Sequence, residues 1–386
     1  MRVAVIHGGT SSEHDVSVAS GEGIADGLRR AGHEVVPVLI DRSGEWHTPT
    51  GSGRLVAVDT LLGCDVAVPA LHGLRGEDGT VQGFLEMLDV PYVGSPVAAS
   101  AVCLDKQLTK LVVAAAGVPV AAGLPVPAER ALEATRSVTE LDRLVEDLVG
   151  VGLTGPLFVK PVHGGSSVGV TRVDAWPGQT WPEVPGPEAA VGRARTGAGA
   201  AAAAATASAT TAAPTTTAAR AALAEALATA LDVATDAVLV EAEVAGIEVD
   251  VPVLELPDGQ VRCGPSLLVD SDPDEPFFTA AAKYASTATR FTVPAPIAPE
   301  LTAQLERLAV TAYRALGCRG LARVDFLVSV GGPVLNEVNT FPGFTPASQF
   351  PRMWAGAGMS YPELVDVLVR TAVRQCVGST STGAGR

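Results

Sequence analysis

The residues best suited to chemistry lie in the C-terminal third, where Leu321 to Gly343 reads LARVDFLVSVGGPVLNEVNTFPG. Two runs rich in Val and Leu flank Gly331 and Gly332, the composition of two strands joined by a short turn. Side chains alternate between faces along a strand, so Arg323 and Asp325 share one face, and Glu337 and Asn339 share one face of the partner. A turn centred near Gly331 sets Asp325 opposite Glu337 and Arg323 opposite Asn339. Carboxylates opposed across a ladder repel unless a cation lies between them. Two carboxylates and an amide form an oxygen-only donor set that suits Mg²⁺ or Mn²⁺ rather than zinc, and Mg²⁺ completes its shell with water and nucleotide phosphates. The hairpin is thus a candidate metal-nucleotide platform, with a solvated acidic face as the alternative. Thr340 to Thr345 follows directly, a Pro-Gly turn whose backbone N–H groups can face a ligand.

Three further stretches carry usable groups. Lys160 ends an apolar run, Leu157 to Pro161, ahead of the Gly/Ser loop His163 to Val170. Small residues let backbone N–H groups approach phosphates, and the lysine adds a point charge; the order is not that of a Walker A loop. The loop Leu71 to Gly79, crowded with ionisable side chains, lies beyond a strand's carboxyl end, where open α/β sheets bind ligands. Glu13 stands at the start of a helix, and the residues alone favour a carboxylate that complements the helix dipole. Lys283-Tyr284 sits inside a long small-residue loop, Phe277 to Phe291, that is either a lid or a connector.

The elements that must position these groups alternate. Arg2 to His7, Val35 to Ile40 and Asp65 to Pro69 read as strands, with helices carrying Val16, Ala19, Ile24 and Leu28 and then Val81, Phe84, Leu85 and Leu88 between and after them. That pattern predicts a parallel sheet in an α/β domain. After Gly94-Ser95-Pro96 one helix is expected through Asp105, Lys106 and Lys110, then a strand near Pro119 to Val126 and a helix through Leu141, Leu144, Val145 and Leu148. Residues 176–220 form a Pro/Trp segment and an Ala/Thr/Gly tract too poor in large apolar side chains to offset chain entropy, which reads as an insertion. Beyond it come a helix near Ala221 to Leu231, strands at Ala237 to Glu241, Gly246 to Leu256 and Val261 to Val269, a helix from Glu300 to Leu316, the hairpin, and a last helix from Tyr361 to Cys376.

Composition narrows the class. At 386 residues the chain has room for two or three cored domains. No window approaches the roughly 18 to 20 apolar residues of a membrane helix and the start has no signal-peptide layout, so a soluble cytoplasmic protein with no membrane partner is expected. The five cysteines form no C-x-x-C pair, which argues against zinc and a disulfide framework. A formal charge of −15 disfavours nucleic acid and leaves small molecules as partners.

With these pieces placed, the chain resembles the D-alanine-D-alanine ligase family of the ATP-grasp superfamily. The resemblance rests on HGGTSSEHDVS, ALHGLRGEDGTVQGFLE, Asp105-Lys106, FVKPVHGGSSVGV, AKY, ALGCRGLARVDF and NEVNTFPGFTPAS, in family order and across nearly the whole chain apart from the insertion. It implies an ATP-grasp fold of mixed α/β and α+β class: an N-terminal α/β substrate domain at 1–101, a central domain at 102–244, a C-terminal domain with the metal site at 245–378, and a disordered tail at 379–386. The implied reaction joins two D-alanines for peptidoglycan, with ATP and Mg²⁺ or Mn²⁺, two ions being expected, through an acyl phosphate. By motif position Lys106 and Lys160 bind nucleotide phosphates, and Glu241, Ala242, Glu243, Val244 and Glu248 line the adenosine pocket. Asp325, Glu337 and Asn339 hold the metal. Glu13, against its helix-dipole reading, anchors the first substrate's ammonium with His72 nearby. Ser166 and Tyr284 join Glu13 in a hydroxyl network, and Arg323 with the Gly343 N–H stabilises the oxyanion. Ser348 binds the second substrate's carboxylate, and the pair Lys283 and Tyr284 marks an amine rather than a hydroxy-acid nucleophile. The family is usually dimeric, so a homodimer is expected.

Three departures stand out. FFTAA precedes Lys283 where the family carries a Tyr/Asp/Glu-rich run, Ala242 replaces a more usual charged residue, and Gln349 follows Ser348 where Met or Leu is common. An amide at 349 can hydrogen-bond a polar substrate side chain or face water. The departures keep open a D-alanine-D-serine ligase or an inhibitor-tolerant paralogue, and, from another class, a non-catalytic nucleotide-binding regulator.

Overall fold

The computed structural model describes residues 1–165, 167–174, 216–270 and 290–381. Ser166, Lys283 and Tyr284 lie outside the described residues, as do the insertion up to 215 and the segment 271–289.

Three sheets carry the chain. The first runs β4-β3-β2-β1-β5, from β1 (Arg2–Gly8), β2 (Glu34–Ile40), β3 (Trp46–Thr48), β4 (Gly51–Ser52) and β5 (Val66–Pro69). As expected, β1 pairs in parallel with β2 and β5. Val3 to Ile6 are all fully buried, because helices cover both faces of this sheet. Those helices include α1 (His14–Arg30), α2 (Arg54–Leu62) and α3 (Thr80–Met87). The sheet's carboxyl edge presents the loops after β1 and β5, which bear Glu13 and His72.

The helix expected across Asp105 is two helices, α4 (Val97–Leu104) and α5 (Lys106–Ala115). Asp105 is extended between them, and its carboxylate accepts the Leu108 N–H at 2.8 Å as the cap of α5. Apolar periodicity runs through the break, which is why the pattern concealed it.

The second sheet runs β6-β9-β7-β8, from β6 (Gly123–Pro127), β7 (Leu157–Pro161), β8 (Thr171–Val173) and β9 (Ala237–Ala242), with every pair antiparallel. It packs on α6 (Ala128–Arg136), α7 (Val138–Gly150) and α8 (Thr216–Leu231) around its own core of Leu144, Leu148, Leu157 and Leu227.

The third sheet runs β13-β12-β10-β14-β15 with β11 added to β10. Its strands are β10 (Ile247–Glu255), β11 (Val261–Cys263), β12 (Leu267–Asp270), β13 (Arg290–Thr292), β14 (Leu321–Ser329) and β15 (Gly332–Asn339). The single strand expected over Val261 to Val269 is thus two. Pro265 lacks the N–H a ladder needs, and Gly264 instead donates to Pro252 O at 3.0 Å. One face packs Val249, Val251, Val324 and Phe326 against α9 (Pro299–Ala315), together with Cys103 of α4 and Val113 of α5. α10 (Gln349–Gly356) and α11 (Tyr361–Ser381) join Phe344, Phe350 and Leu364 to Val3, Val5 and Ile24, so the first and third sheets share a core.

The hairpin pairing is the expected one, Asp325 opposite Glu337 and Arg323 opposite Asn339, but it arises differently. Ser329 pairs with Gly332, so the loop is the two residues Val330 and Gly331, and a regular ladder would set Asp325 against Asn336. A bulge beside Asp325 leaves Asn336 unpaired and brings Glu337 into place.

Gly246 lies so close to β14 that a Cβ there would meet Val328 O at 2.2 Å, against backbone that cannot yield cheaply. Gly246→Ala is expected to destabilise the protein by about 2 kcal/mol or more. Gly259→Ala, at φ 85° with open space around it, should cost only about 1 kcal/mol of backbone strain. Urea unfolding of both variants checks the order.

Candidate active site

Four strand residues bring the charges of the third sheet together. Asp250 on β10 pairs across from Asp325 on β14, and Glu248 shares its face. Carboxylate oxygens of Glu248, Asp250 and Asp325 all lie within 4.8 Å of one another, although Asp250 and Asp325 are almost wholly buried. Arg323 offsets this charge. Its Nε and Nη2 donate to the two oxygens of Asp325, both at 2.7 Å, and Nε is 3.5 Å from Asp250 Oδ2. Burial alone would lower the Arg323 pKa; Asp325 and Asp250 overcome it and hold the guanidinium charged well beyond its ordinary range.

Asn339 completes the group. Its amide nitrogen donates to Asp325 Oδ2 at 2.9 Å and reaches Glu337 Oε1 at 3.5 Å. The amide thus lends partial positive charge where a cation would sit between opposed carboxylates. A half-turn of the amide presents its oxygen instead, so Asp325, Glu337 and Asn339 form a hard-oxygen donor set that fits Mg²⁺ or Mn²⁺. Glu248, expected in the adenosine pocket, stands in the same carboxylate cluster, and Asp250 escaped the sequence reading.

On the second sheet, Lys160 of β7 and Lys110 of α5 converge on one buried carboxylate, Glu241 of β9, at 3.1 and 2.7 Å. Burial opposes the ionisation of Glu241, and the two lysines overcome it, holding its pKa below the usual range. Burial lowers Lys110, with Glu241 acting in the opposite direction. Glu241 is therefore a shared counter-ion for the two lysines. Lys110 escaped the sequence reading because it counted only as a helix position. Lys106 opens α5 and donates to Gly164 O, joining that helix to the Gly/Ser loop. At the end of β9, Ala242 N donates to Ala122 O, and Glu243 takes Arg172 in a fork at 2.9 and 3.0 Å; Val244 follows, half-buried.

The first sheet supplies the facing loops. Glu13 occupies the cap position of α1 but makes no side-chain cap bond. Its carboxylate instead lies against the loop after β5: a Cβ on Gly73 would come within 2.8 Å of Glu13 Oε2, and one on Gly165 of the Gly/Ser loop within 3.9 Å. His72 is buried, and burial lowers its pKa, with Glu13 and a backbone bond to Phe341 pulling the other way. Its Nε2 lies 3.1 Å from Ser20 Oγ, which accepts the Phe344 N–H at 3.2 Å. Since Ser20 Oγ accepts from the peptide, its own hydrogen is available to Nε2, which suits a neutral ring.

Glu77 is the group the sequence named only as part of a polar loop. Its carboxylate accepts the Gly73 N–H at 2.7 Å. Burial first, then the field of Glu13, pushes its pKa up to about 8. Phe344 also accepts Tyr361 Oη at 2.6 Å, which holds the turn bearing Gly343 and Ser348. Ser348 Oγ accepts the Thr345 N–H at 3.0 Å, and a Cβ on Gly343 would lie 3.4 Å from that oxygen. Gln349, the first residue of α10, accepts Arg323 Nη1 at 2.7 Å through its oxygen and donates to Asp250 Oδ2 at 3.1 Å through its nitrogen.

Comparison with known proteins bears directly on this arrangement. The family described as D-ala D-ala ligase N-terminus matches residues 2–62 and 54–95, and D-ala D-ala ligase C-terminus matches residues 118–178 and 214–370. A D-alanine–D-alanine ligase of Corynebacterium aurimucosum is 37% identical over 97% of this chain and 98% of its own. Among solved structures, the VanG D-Ala:D-Ser ligase of Enterococcus faecalis has a TM-score of 0.70 at 27% identity, covering 96% of this chain and 99% of its own. The D-alanine–D-alanine ligase of Bacillus anthracis complexed with ATP has a TM-score of 0.68 at 25% identity, covering 98% and 99%. Fold and site together define a ligase of the ATP-grasp class. The chain belongs to the D-alanine–D-alanine ligase family, the ATP-dependent ligases of peptidoglycan synthesis.

The raised pKa of Glu77 has a consequence for stability. In the folded protein the carboxyl keeps its proton up to about pH 8, whereas unfolded it ionises near 4.3, so between these values the folded state binds the extra proton. Its favourable contribution is present in full below the unfolded value and is lost as pH rises through the folded one. Glu77→Gln, which keeps an acceptor for Gly73, should match wild type near pH 4 and gain over it steadily until pH 8. Melting temperatures across that range check the crossover.

Proposed function

We propose that the loops after β1 and β5, the Gly/Ser loop and the Arg323–Asp325 clamp bind two D-amino acids and the phosphates of ATP for stepwise acyl phosphorylation and amide formation. A carboxylate oxygen of the first D-alanine attacks the γ-phosphorus and ADP leaves. The amine of the second D-alanine then attacks the acyl carbon, the tetrahedral centre expels inorganic phosphate, and the nitrogen loses a proton. The observation that carries the reading is Arg323, a half-buried cation held by the buried Asp325 beside the turn that bears Gly343 and Ser348. A fixed donor in a dry site stabilises an oxyanion at no cost in reorganisation.

Each remaining group takes its role by motif. Glu13, with His72 at hand, receives the first substrate's ammonium, joined by Ser166 and Tyr284, while Lys283 and Ser348 serve the second substrate. Lys106 and Lys160 meet phosphates, and Glu241 to Val244 with Glu248 line the adenosine side. Asp325, Glu337 and Asn339 would hold one or two Mg²⁺ or Mn²⁺ ions, which when bound neutralise phosphoryl charge. A three-domain division at 101 and 244, a cytoplasmic location and a homodimer rest on the family resemblance. Among the described residues, no helix is long and apolar enough to cross a membrane.

D-Serine as second substrate is the competing reading. Its motives were Gln349 and the altered segment before Lys283, which lies outside the described residues; both polar ends of the Gln349 amide are engaged within the protein, by Arg323 and Asp250, which favours D-alanine.

Phosphate release with mass analysis of products, in an equimolar mixture of D-alanine, D-serine and D-lactate, tests the reading. D-Ala-D-Ala should dominate; a dominant D-serine product would reverse the assignment, and no product would favour a nucleotide-binding regulator. Arg323→Ala should lower kcat by roughly 10² to 10³, the scale for losing one oxyanion donor, with ATP affinity largely intact.

A further inference from the structure

We infer that Gln349 is a positioning residue that holds the Arg323 guanidinium on Asp325 against the pull of the neighbouring Asp250, rather than a contact to substrate or metal. This rests on the assignment of Arg323 to the oxyanion.

The geometry is a linked set of hydrogen bonds. Arg323 spends Nε and Nη2 on Asp325, and Nη1 on Gln349 Oε1 at 2.7 Å. Asp250 is wholly buried and lies only 3.5 Å from Arg323 Nε, so it competes with Asp325 for the same cation. Gln349 Nε2 donates to Asp250 Oδ2, the oxygen nearest Arg323, and so offsets part of that pull. One amide thereby fixes the guanidinium from two sides, by taking Nη1 and by occupying its competitor. A planar fork held at three nitrogens has little freedom to turn.

The amide is itself fixed. Gln349 begins α10 directly after Ser348, whose hydroxyl receives the Thr345 N–H, and Phe350 beside it is fully buried. Both ends of the pair thus sit on rigid elements, Asp250 mid-strand in β10 and Gln349 at a pinned helix start. An apolar side chain at 349 would remove the acceptor of Nη1 and the amide donor on Asp250 Oδ2 together, and the guanidinium would turn away from Asp325 toward Asp250. The glutamine is therefore required because Asp250 is present, and the two should show coupling.

The test is a double-mutant cycle on the full chain. Gln349→Leu should lower kcat about 10- to 100-fold, the scale of a misplaced reacting group, while KM for D-alanine and ATP stays within about twofold. Adding Asp250→Asn, which removes the competing charge, should recover most of the loss, although each change alone removes a native contact. Gln349→Met serves the same purpose if the leucine variant does not fold. A second readout needs no turnover. In the metal-free, nucleotide-free protein, the Arg323 Nε–H should be a slowly exchanging NMR signal, lost in Gln349→Leu and regained in the double variant. An unchanged kcat and signal in Gln349→Leu, a rise in D-alanine KM at constant kcat, or no recovery in the double variant would each overturn the positioning role of Gln349. If wild type made no dipeptide, the oxyanion assignment would fail, and the NMR arm would still report on the clamp.

Discussion

The site depends on one ion pair within one strand, a half-buried arginine on a buried aspartate. Arg323 and Asp325 are two residues apart on β14, so they project from the same face, and the guanidinium folds back to take both oxygens of the carboxylate. A carboxylate buried beside Asp250 and Glu248 is costly unless it is paired, and Arg323 supplies that pairing for Asp325. The pair also faces Asn339 and Glu337 across the hairpin and Asp250 across β10, so both neighbouring strands must hold their register. A one-residue slip of either would turn its charged set into the apolar core.

That requirement explains the architecture around it. Val249, Val251, Val324 and Phe326 fill the opposite face and fix β10 and β14 together, while α4 and α5 close that core. The first sheet shares a core with the third, and the polar chain from His72 through Ser20 to the Phe344 peptide crosses the same boundary. The loops bearing Glu13 and His72 are therefore referenced to the same frame as Arg323. The second sheet keeps a separate core and approaches the site through the Gly/Ser loop and the lysines about Glu241.

Much of this was legible in residue order, and the exceptions have physical causes. The hairpin face followed from alternation and from a turn near Gly331, yet the pairing of Asp325 with Glu337 depends on a bulge at Asn336 that alternation cannot reveal. Asp250 lay in a strand the pattern identified; what the pattern lacked was the neighbour, since β10 and β14 meet across some 70 residues of chain. Lys110 and Glu241 carry no local mark of their pairing for the same reason. Asp105 did carry one, an N-cap residue type before a helix, but continuous apolar spacing on both sides hid it. Gln349 was noticed as a departure beside the substrate turn, and only the fold brings Arg323 and Asp250 to its two ends.

The central claim, that this site activates a D-alanine carboxylate as an acyl phosphate, is tested most directly by an isotope. D-Alanine labelled with ¹⁸O in both carboxylate oxygens, turned over with ATP, should deliver one label from each acylated substrate to the inorganic phosphate released, because the bridging oxygen leaves with phosphorus. Phosphate that stays unlabelled while dipeptide accumulates would contradict the account.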